Sequence, residues 1–319
     1  MGAATDIFGT LRAVSAPASG YGWSVLTGTN PAVASDLNST GAIAGTQYVN
    51  GEAYATRWIN GSPQLMGGAG SFATGINDSG QITGMTTVNG QGHAFVTTPG
   101  GALLDLGVPA GGSWSSGYDV NASGQVAGYA MFGGRFRAFA WSPQTGYVTI
   151  GTFGGQNSYA MALNDAGVLT GHAQTSSGYL HAFTSTGGTL RDLGTLGGGS
   201  SYSYGINAQG DVVGSSWLAA GAPTHAFLYQ GVLLDLNNLI DPDSGWVLTQ
   251  AYGINASGQI AGSGLFHGVE HGFRLDLVQV ESSVAGMVSI TAVPEPSTWM
   301  IVMLGLFALS FRFVCAGRA

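Results

Sequence analysis

Eight arginines, sixteen acidic residues and no lysine among 319 residues leave a net charge of −8, which excludes the basic stripe that nucleic-acid binding requires. Fifty-five glycines without a three-residue period exclude collagen, and a 45% hydrophobic content excludes a chain too polar to offset the entropy of ordering. The one cysteine, Cys315, excludes an internal disulfide, so stability has to come from a core, which a chain of this length is able to build.

In chain order, residues 1–20 lack a charged segment followed by an apolar run of about 7 to 15 residues, and are expected to be a poorly ordered or truncated signal region. YGWSVLTG (21–28) follows as a strand with no unit of its own. From there to residue 281 one motif recurs: DLNSTGAIAG, GINDSGQITG, DVNASGQVAG, ALNDAGVLTG, GINAQGDVVG and GINASGQIAG. Its asparagines, Asn38, Asn77, Asn121, Asn164, Asn207 and Asn255, are spaced by 39, 44, 43, 43 and 48 residues. A glycine lies three residues after each (Gly41, Gly80, Gly124, Gly167, Gly210, Gly258) and another seven after it (Gly45, Gly84, Gly128, Gly171, Gly214, Gly262).

Asn-x-x-Gly between apolar strand residues predicts a hairpin turn, in which asparagine bonds its own backbone and the first glycine supplies a positive φ. The second glycine ends a strand or admits a neighbouring backbone. A second column reads Glu52-Ala53-Tyr54, His93-Ala94-Phe95, Arg137-Ala138-Phe139, His181-Ala182-Phe183, His225-Ala226-Phe227 and His271-Gly272-Phe273. A third reads LLDLG (103–107), YVTIG (147–151), LRDLG (190–194) and LLDLN (233–237). Four short strands per unit of 40 to 50 residues predict a β-propeller of six blades, each of four antiparallel strands. An open β solenoid is the alternative. Because the sixth unit lacks a DLG-like strand, the strand at 21–28 is expected to complete the last blade and close the ring.

Residues 282–298 read as a linker containing Pro294-Glu295-Pro296, and 299–316 as a transmembrane helix. Trp299 to Phe311 are uncharged, and 18 residues reach Ala316 across Arg312, the lower edge of the ~17 to 25 that span a bilayer.

The repeat columns resemble the HAF-repeat family of extracellular bacterial proteins, over about residues 21–276. The tail resembles the PEP-CTERM sorting signal, carried by Pro294, Glu295, Pro296, the apolar run and Arg312, with a single arginine where that family has a basic cluster. The resemblance implies a Gram-negative protein that is exported, held at the inner membrane by its C-terminal helix, and processed by an exosortase-type membrane protease for the cell surface or extracellular matrix.

Residue types exclude several chemistries. Without lysine there is no P-loop and no Schiff base; no G-x-S-x-G elbow occurs; and the cysteine lies in the tail. His93, His181, His225 and His271 share one repeat position, which disperses them around a ring rather than gathering them. HGVEH (267–271) has a metal-like spacing but falls in a predicted hairpin rather than on a helix, so no metal and no cofactor is expected. Asn77-Asp78 and Asn164-Asp165 read as turn chemistry rather than calcium ligands, and Asp105, Asp192 and Asp235 as caps at strand ends.

Three readings of function follow. The first is a non-catalytic, monomeric surface protein that binds in or builds the envelope or exopolysaccharide matrix. In it, Trp114, Tyr118, Tyr159, Tyr202, Tyr204 and Trp217 either stack on polysaccharide or pack the core. The second is a polysaccharide hydrolase or lyase using the irregular sixth unit, with Asp241, Asp243, His267, Glu270 and His271 as the candidate site. The third is a module that engages a protein partner.

Overall fold

The computed structural model describes residues 2–5, 11–15, 24–26, 30–219, 223–277 and 289–292. Within them six four-stranded antiparallel sheets follow one another, each an up-and-down meander. Blade 1 is Ala32–Leu37, Ile43–Val49, Glu52–Ile59 and Ser62–Leu65; blade 2 is Phe72–Ile76, Ile82–Val88, Gln91–Thr97 and Leu103–Gly107. Blade 3 is Trp114–Val120, Val126–Phe132, Arg135–Ser142 and Gly146–Thr149; blade 4 is Gly154–Leu163, Leu169–Thr175, Leu180–Thr186 and Thr189–Gly194. Blade 5 is Ser201–Ile206, Val212–Trp217, Thr224–Tyr229 and Leu233–Asp235; blade 6 is Trp246–Ile254, Gln259–Phe266, Val269–Asp276 and Ser289–Ala292. The expected all-β architecture of six four-stranded units is present.

Two expectations are corrected. Blade 6 is completed by Ser289–Ala292, from the stretch read as linker, which pairs with Phe273 through Asp276. The N-terminal strand does not close that blade: Ser24–Val25 pairs instead with Leu11–Ser15, which pairs with Gly2–Thr5. This three-stranded sheet lies beside blade 1. Local hairpin pairing wins because it closes short loops, whereas pairing 21–28 with blade 6 has to close a loop of the whole chain. Among the described residues no helix is long and apolar enough to cross a membrane, and the helix expected at 299–316 lies outside them.

The asparagine turns form as read. In blade 4, Gly167 N–H donates to Asn164 C=O and Asn164 N–H to Val168 C=O, with Gly167 at φ 75°. Such a φ suits glycine because a Cβ there meets its own backbone. The second glycine marks a close approach: a Cβ on Gly171 would overlap the Tyr159 carbonyl and crowd Ala160. That approach exists because each first strand carries a bulge, with register shifts at Ala34/Asp36, Ala73/Gly75, Gly117/Asp119, Ala160/Ala162, Ser203/Gly205 and Ala251/Gly253.

The core lies between successive blades. Ala42, Ala44 and Ala55 of blade 1 meet Ala73, Ile76, Ile82 and Phe95 of blade 2, and the same pattern recurs down the chain. Phe95, Phe139, Phe183, Phe227 and Phe273 are at most 1% exposed. Each contributes about 1.5–3 kcal/mol by burial. The alanine before the first four of them is also fully buried, small enough for the next blade to press against the backbone. Blade 1 departs from the expected register. Thr56, not Tyr54, pairs with Gly45 as the phenylalanines pair with their glycines, so Tyr54-Ala55-Thr56 occupies the triplet position, not Glu52-Ala53-Tyr54. Trp58, 1% exposed and packed on Ile43, supplies the missing bulk.

The series stops at blade 6. Ala44, Thr83, Ala127, Thr170 and Val213 are all 0% exposed where they face the next blade, whereas the equivalent Ala261 is exposed. A Cβ on Gly75 or Gly205 would press on the following blade, while one on Gly253 would meet nothing within 4 Å.

Candidate functional site

The repeated polar residues are spent on joining blades. Each buried asparagine turns its carbonyl oxygen on its own loop; Asn164 Oδ1 accepts from Ala166 N–H (3.1 Å) and Val168 N–H (3.0 Å). Its amide then donates to the turn of the next blade. The ladder runs Asn38 to Asn77 C=O (3.0 Å), Asn77 to Asn121 (2.9 Å), Asn121 to Asn164 (3.2 Å), Asn164 to Asn207 (3.0 Å) and Asn207 to Asn255 (3.5 Å). Asn255, exposed, donates instead to Gln259 Oε1 at 2.8 Å.

Serines form a second set. Ser71, Ser115, Ser158 and Ser201, all 0% exposed, accept the backbone N–H of Ala55, Ala94, Ala138 and Ala182 in the preceding blade, at 2.7 to 3.0 Å. In blades 2 and 4, bulges at Ala94/Phe95 and Ala182/Phe183 free the Ala94 and Ala182 N–H groups from the ladder, and in all four the serine satisfies a donor that is costly to bury unpaired.

Acids add a third set, at two junctions among the described residues. Asp36 Oδ2 accepts from Ile76 N–H (2.9 Å) while Asp78 Oδ1 accepts from Ser39 N–H (2.8 Å), joining blades 1 and 2 in both directions. Asp119 and Asp165 do the same between blades 3 and 4, through Leu163 N–H and Ala122 N–H, both at 2.8 Å. Asp78 and Asp165 are therefore turn residues, as read, but their bonds cross blades. The sequence signal is an acid two before one asparagine answered by an acid one after the next.

The bulge residues converge on a common axis. Beyond the effect of burial, Tyr204 of blade 5 raises the Tyr118 hydroxyl of blade 3 although a whole blade separates them in sequence, and Asp36 raises Asp119 across blade 2. Burial pushes the Asp36 carboxyl up to about 6 and Asp119 to about 7, against the pull of two backbone N–H groups on each. Beside the axis, Trp114, Tyr129, Phe136, Tyr159, His172 and Tyr202 form a chain of ring contacts across blades 3, 4 and 5, with centroids 5.1 to 5.6 Å apart from Trp114–Tyr129 to His172–Tyr202. His172 Nδ1 is buried without a hydrogen-bond partner, and burial lowers the imidazole to about 4. Of the six aromatics singled out in the sequence, Trp114, Tyr118, Tyr159, Tyr202 and Tyr204 are half-buried in these ring contacts, and Trp217 is 38% exposed.

The histidine column has a partner that the spacing does not reveal. His93, His181 and His225 place Nδ1 at 3.0, 2.8 and 2.7 Å from Asp105, Asp192 and Asp235, joining the two columns across strands three and four. Each aspartate also caps a strand end, accepting from the N–H of Gly107, Gly194 and Asn237. Asp192 is 41% exposed in its side chain. Asp192→Ala is therefore expected to cost about 1 kcal/mol or less, as exposed ion pairs do, and urea denaturation would check it.

The residues proposed for chemistry are only partly brought together. Asp241 and Asp243 lie exposed on a short 3₁₀ turn, with Asp241 Oδ1 accepting from Asp243 N–H at 2.9 Å. The hairpin tip meets that turn: His267, at φ 48°, donates its N–H to Gly245 C=O (2.9 Å). Glu270 and His271 are consecutive on one strand and project to opposite faces. His271 instead packs edge-on against Trp246 and Phe266. Among the described residues no three His, Cys, Asp or Glu side chains gather as a metal site. Pro294, Glu295, Pro296 and Arg312 lie outside the described residues.

A model of the PEP-CTERM protein-sorting motif matches residues 292–312. No curated protein matches the chain. Among solved structures, it is similar to the β-propeller domain of the Trilobed protease from Pyrococcus furiosus, with 11% identity, TM-score 0.54, and coverage of 85% of this chain and 87% of that one. It is also similar to a puromycin-hydrolyzing peptidase from Mycobacterium tuberculosis (11% identity, TM-score 0.56, 89% and 50% covered). An acylaminoacyl peptidase from Pyrococcus horikoshii resembles it too (12% identity, TM-score 0.53, 82% and 46% covered). The chain spans about half the length of these two peptidases. At such identities the likeness is one of fold, and the fold is propeller-like.

Proposed function

We propose that this chain is an exported, non-catalytic propeller of the HAF-repeat kind, sorted through its tail and displayed at the surface or in the matrix of a Gram-negative bacterium. In this reading an exosortase-type membrane protease recognises Pro294, Glu295 and Pro296. The helix at 299–316, with Arg312 near its end, holds the chain at the inner membrane until processing. The observation that carries it is the sorting motif, which begins at Ala292, the last residue of the outermost strand of blade 6. Only Val293 stands between that strand and Pro294, so the recognised segment follows directly on folded structure.

A binding or scaffolding role is supported by how the polar repeat residues are used. Asparagine, serine and aspartate at the blade junctions are engaged with backbone groups, and three of the histidines with aspartates, which gives a rigid frame rather than a reacting centre. The half-buried aromatic run across blades 3, 4 and 5 supports a polysaccharide as the ligand, since flat apolar rings with polar tips suit a partly wet surface.

Replacing Pro294, Glu295 and Pro296 together by alanine tests the sorting. The expected result is accumulation of unprocessed chain in the inner-membrane fraction. Unchanged size and location on immunoblots of fractionated cells would count against it.

A further inference from the structure

Blades 2, 4 and 5 share a histidine–aspartate pair, and blade 3, which stands between them, replaces it with a different charge pattern. Phe95, Phe139, Phe183 and Phe227 pair with Asp105, Thr149, Asp192 and Asp235, so Thr149 stands where three sister blades carry an aspartate. Two residues before each phenylalanine those blades carry the histidine that the aspartate holds, and blade 3 carries Arg137. A further two residues back stands Arg135, on the same face of the strand, where blades 2, 4, 5 and 6 have Gln91, Tyr179, Pro223 and Val269. A histidine–aspartate pair is thus replaced by two cations and a short hydroxyl side chain.

The shortness of Thr149 leaves space. A notch of about 450 Å³ opens there, lined by Phe132, Arg135, Arg137, Thr149, Ile150 and Gly151. Arg137 is held by donating to the carbonyls of Phe136 and Gln156, which fixes its guanidinium between blades 3 and 4 without neutralising it. Arg135 is exposed. Among the described residues neither meets a carboxylate, although the chain carries twice as many acids as arginines. Elsewhere Arg274 pairs with Asp276 and Arg191 lies over the Tyr229 ring. Paired guanidinium groups match the two oxygens of a carboxylate or phosphate, and the half-buried Phe132 gives the rest of a ligand an apolar surface.

We propose that this notch on blade 3 is a binding site for the oxyanion group of an organic ligand, a carboxylate or a phosphate, held by Arg135 and Arg137. The site stands independently of how the tail is processed.

The test is calorimetric titration of the full-length chain in detergent with D-glucuronate, inorganic phosphate and, as the neutral probe, D-glucose. Saturable binding of an anion, with none of D-glucose, is expected, and the tighter of the two anions identifies the headgroup. Thr149→Asp restores the carboxylate of the sister blades in a place that tolerates it, and is expected to weaken anion binding at least tenfold with the thermal midpoint unchanged. Arg135→Gln is expected to act in the same direction, and Arg274→Gln, in blade 6, to leave binding intact. Failure of both anions to bind overturns the proposal. Retention of binding in Thr149→Asp, or equal loss in Arg274→Gln, also overturns it.

Discussion

Asn164→Ala is expected to lower the stability of the fold by about 2–3 kcal/mol, because it removes a buried bond between blades together with two bonds that hold the turn. The side chain is 7% exposed, and its oxygen accepts from Ala166 and Val168 while its amide donates to Asn207. Truncation leaves the Ala166 and Val168 N–H groups, at the exposed and half-buried edge of the turn, and the buried Asn207 carbonyl without their partner. A net hydrogen bond is worth only about 1 kcal/mol, but an orphaned buried group costs about 1–3 kcal/mol, so the sum depends on burial rather than bond count. Asn255→Ala is the matched control. Its oxygen makes the same two turn bonds, to Ser257 and Gln259, yet the residue is exposed and water replaces what is lost. An effect of about 1 kcal/mol or less is expected there. Urea midpoints with unchanged slopes would measure both, and equal losses at the two positions would refute the ladder as a buried device.

That contrast also marks where the sequence stops being readable. The spacing of Asn, Gly and Gly locates the first turn of every blade and the close backbone approach beside it, because a positive φ and a missing Cβ leave few residue choices. The spacing does not reveal where the second half of each asparagine goes. A turn needs only the side-chain oxygen, and the amide crosses to a residue 39 to 48 positions away. The histidine and aspartate columns are both visible, but their pairing depends on the cross-strand register, which sets each aspartate opposite the phenylalanine two residues after the histidine and so on the same face. In blade 1 the aromatic of Glu52-Ala53-Tyr54 imitates the triplet two residues early, and only the pairing of Thr56 with Gly45 separates the two registers. Asp241, Asp243, His267, Glu270 and His271 stand out in the sequence because their unit is irregular. The structure accounts for the irregularity by a 3₁₀ turn resting on a hairpin tip, a packing reason that leaves Glu270 and His271 facing apart. Arg135, Arg137 and Thr149 stand out less, although departure from a column is the clearer signal once the column's own chemistry is known.

The stability of the fold is expected to decrease as pH rises from about 4 to about 7, opposite to the usual behaviour of paired carboxylates. Asp36 and Asp119 sit near the axis, where desolvation raises them from 3.8 to about 6 and about 7. Between 3.8 and those values the folded chain keeps protons that the unfolded chain has released, so stability falls with each pH increment. His172 works against this trend. Burial lowers it from 6.5 to about 4, so between those values the unfolded chain binds a proton that the folded chain refuses, and stability rises with pH. Two acids oppose one base up to about pH 6; Asp119 and His172 then offset one another to 6.5, and Asp119 acts alone to about 7. Each tenfold difference in proton affinity between the folded and unfolded chain is worth about 1.4 kcal/mol, so the net loss across the range is a few kcal/mol. Asp119→Asn leaves Asp36 and His172 to cancel, and is expected to flatten the profile even though its amide lowers stability at every pH. His172→Gln is expected to steepen it. Urea midpoints from pH 4.5 to 7.5 would separate these cases, and a wild-type slope retained in Asp119→Asn would show that the clasp between blades 3 and 4 does not titrate with folding.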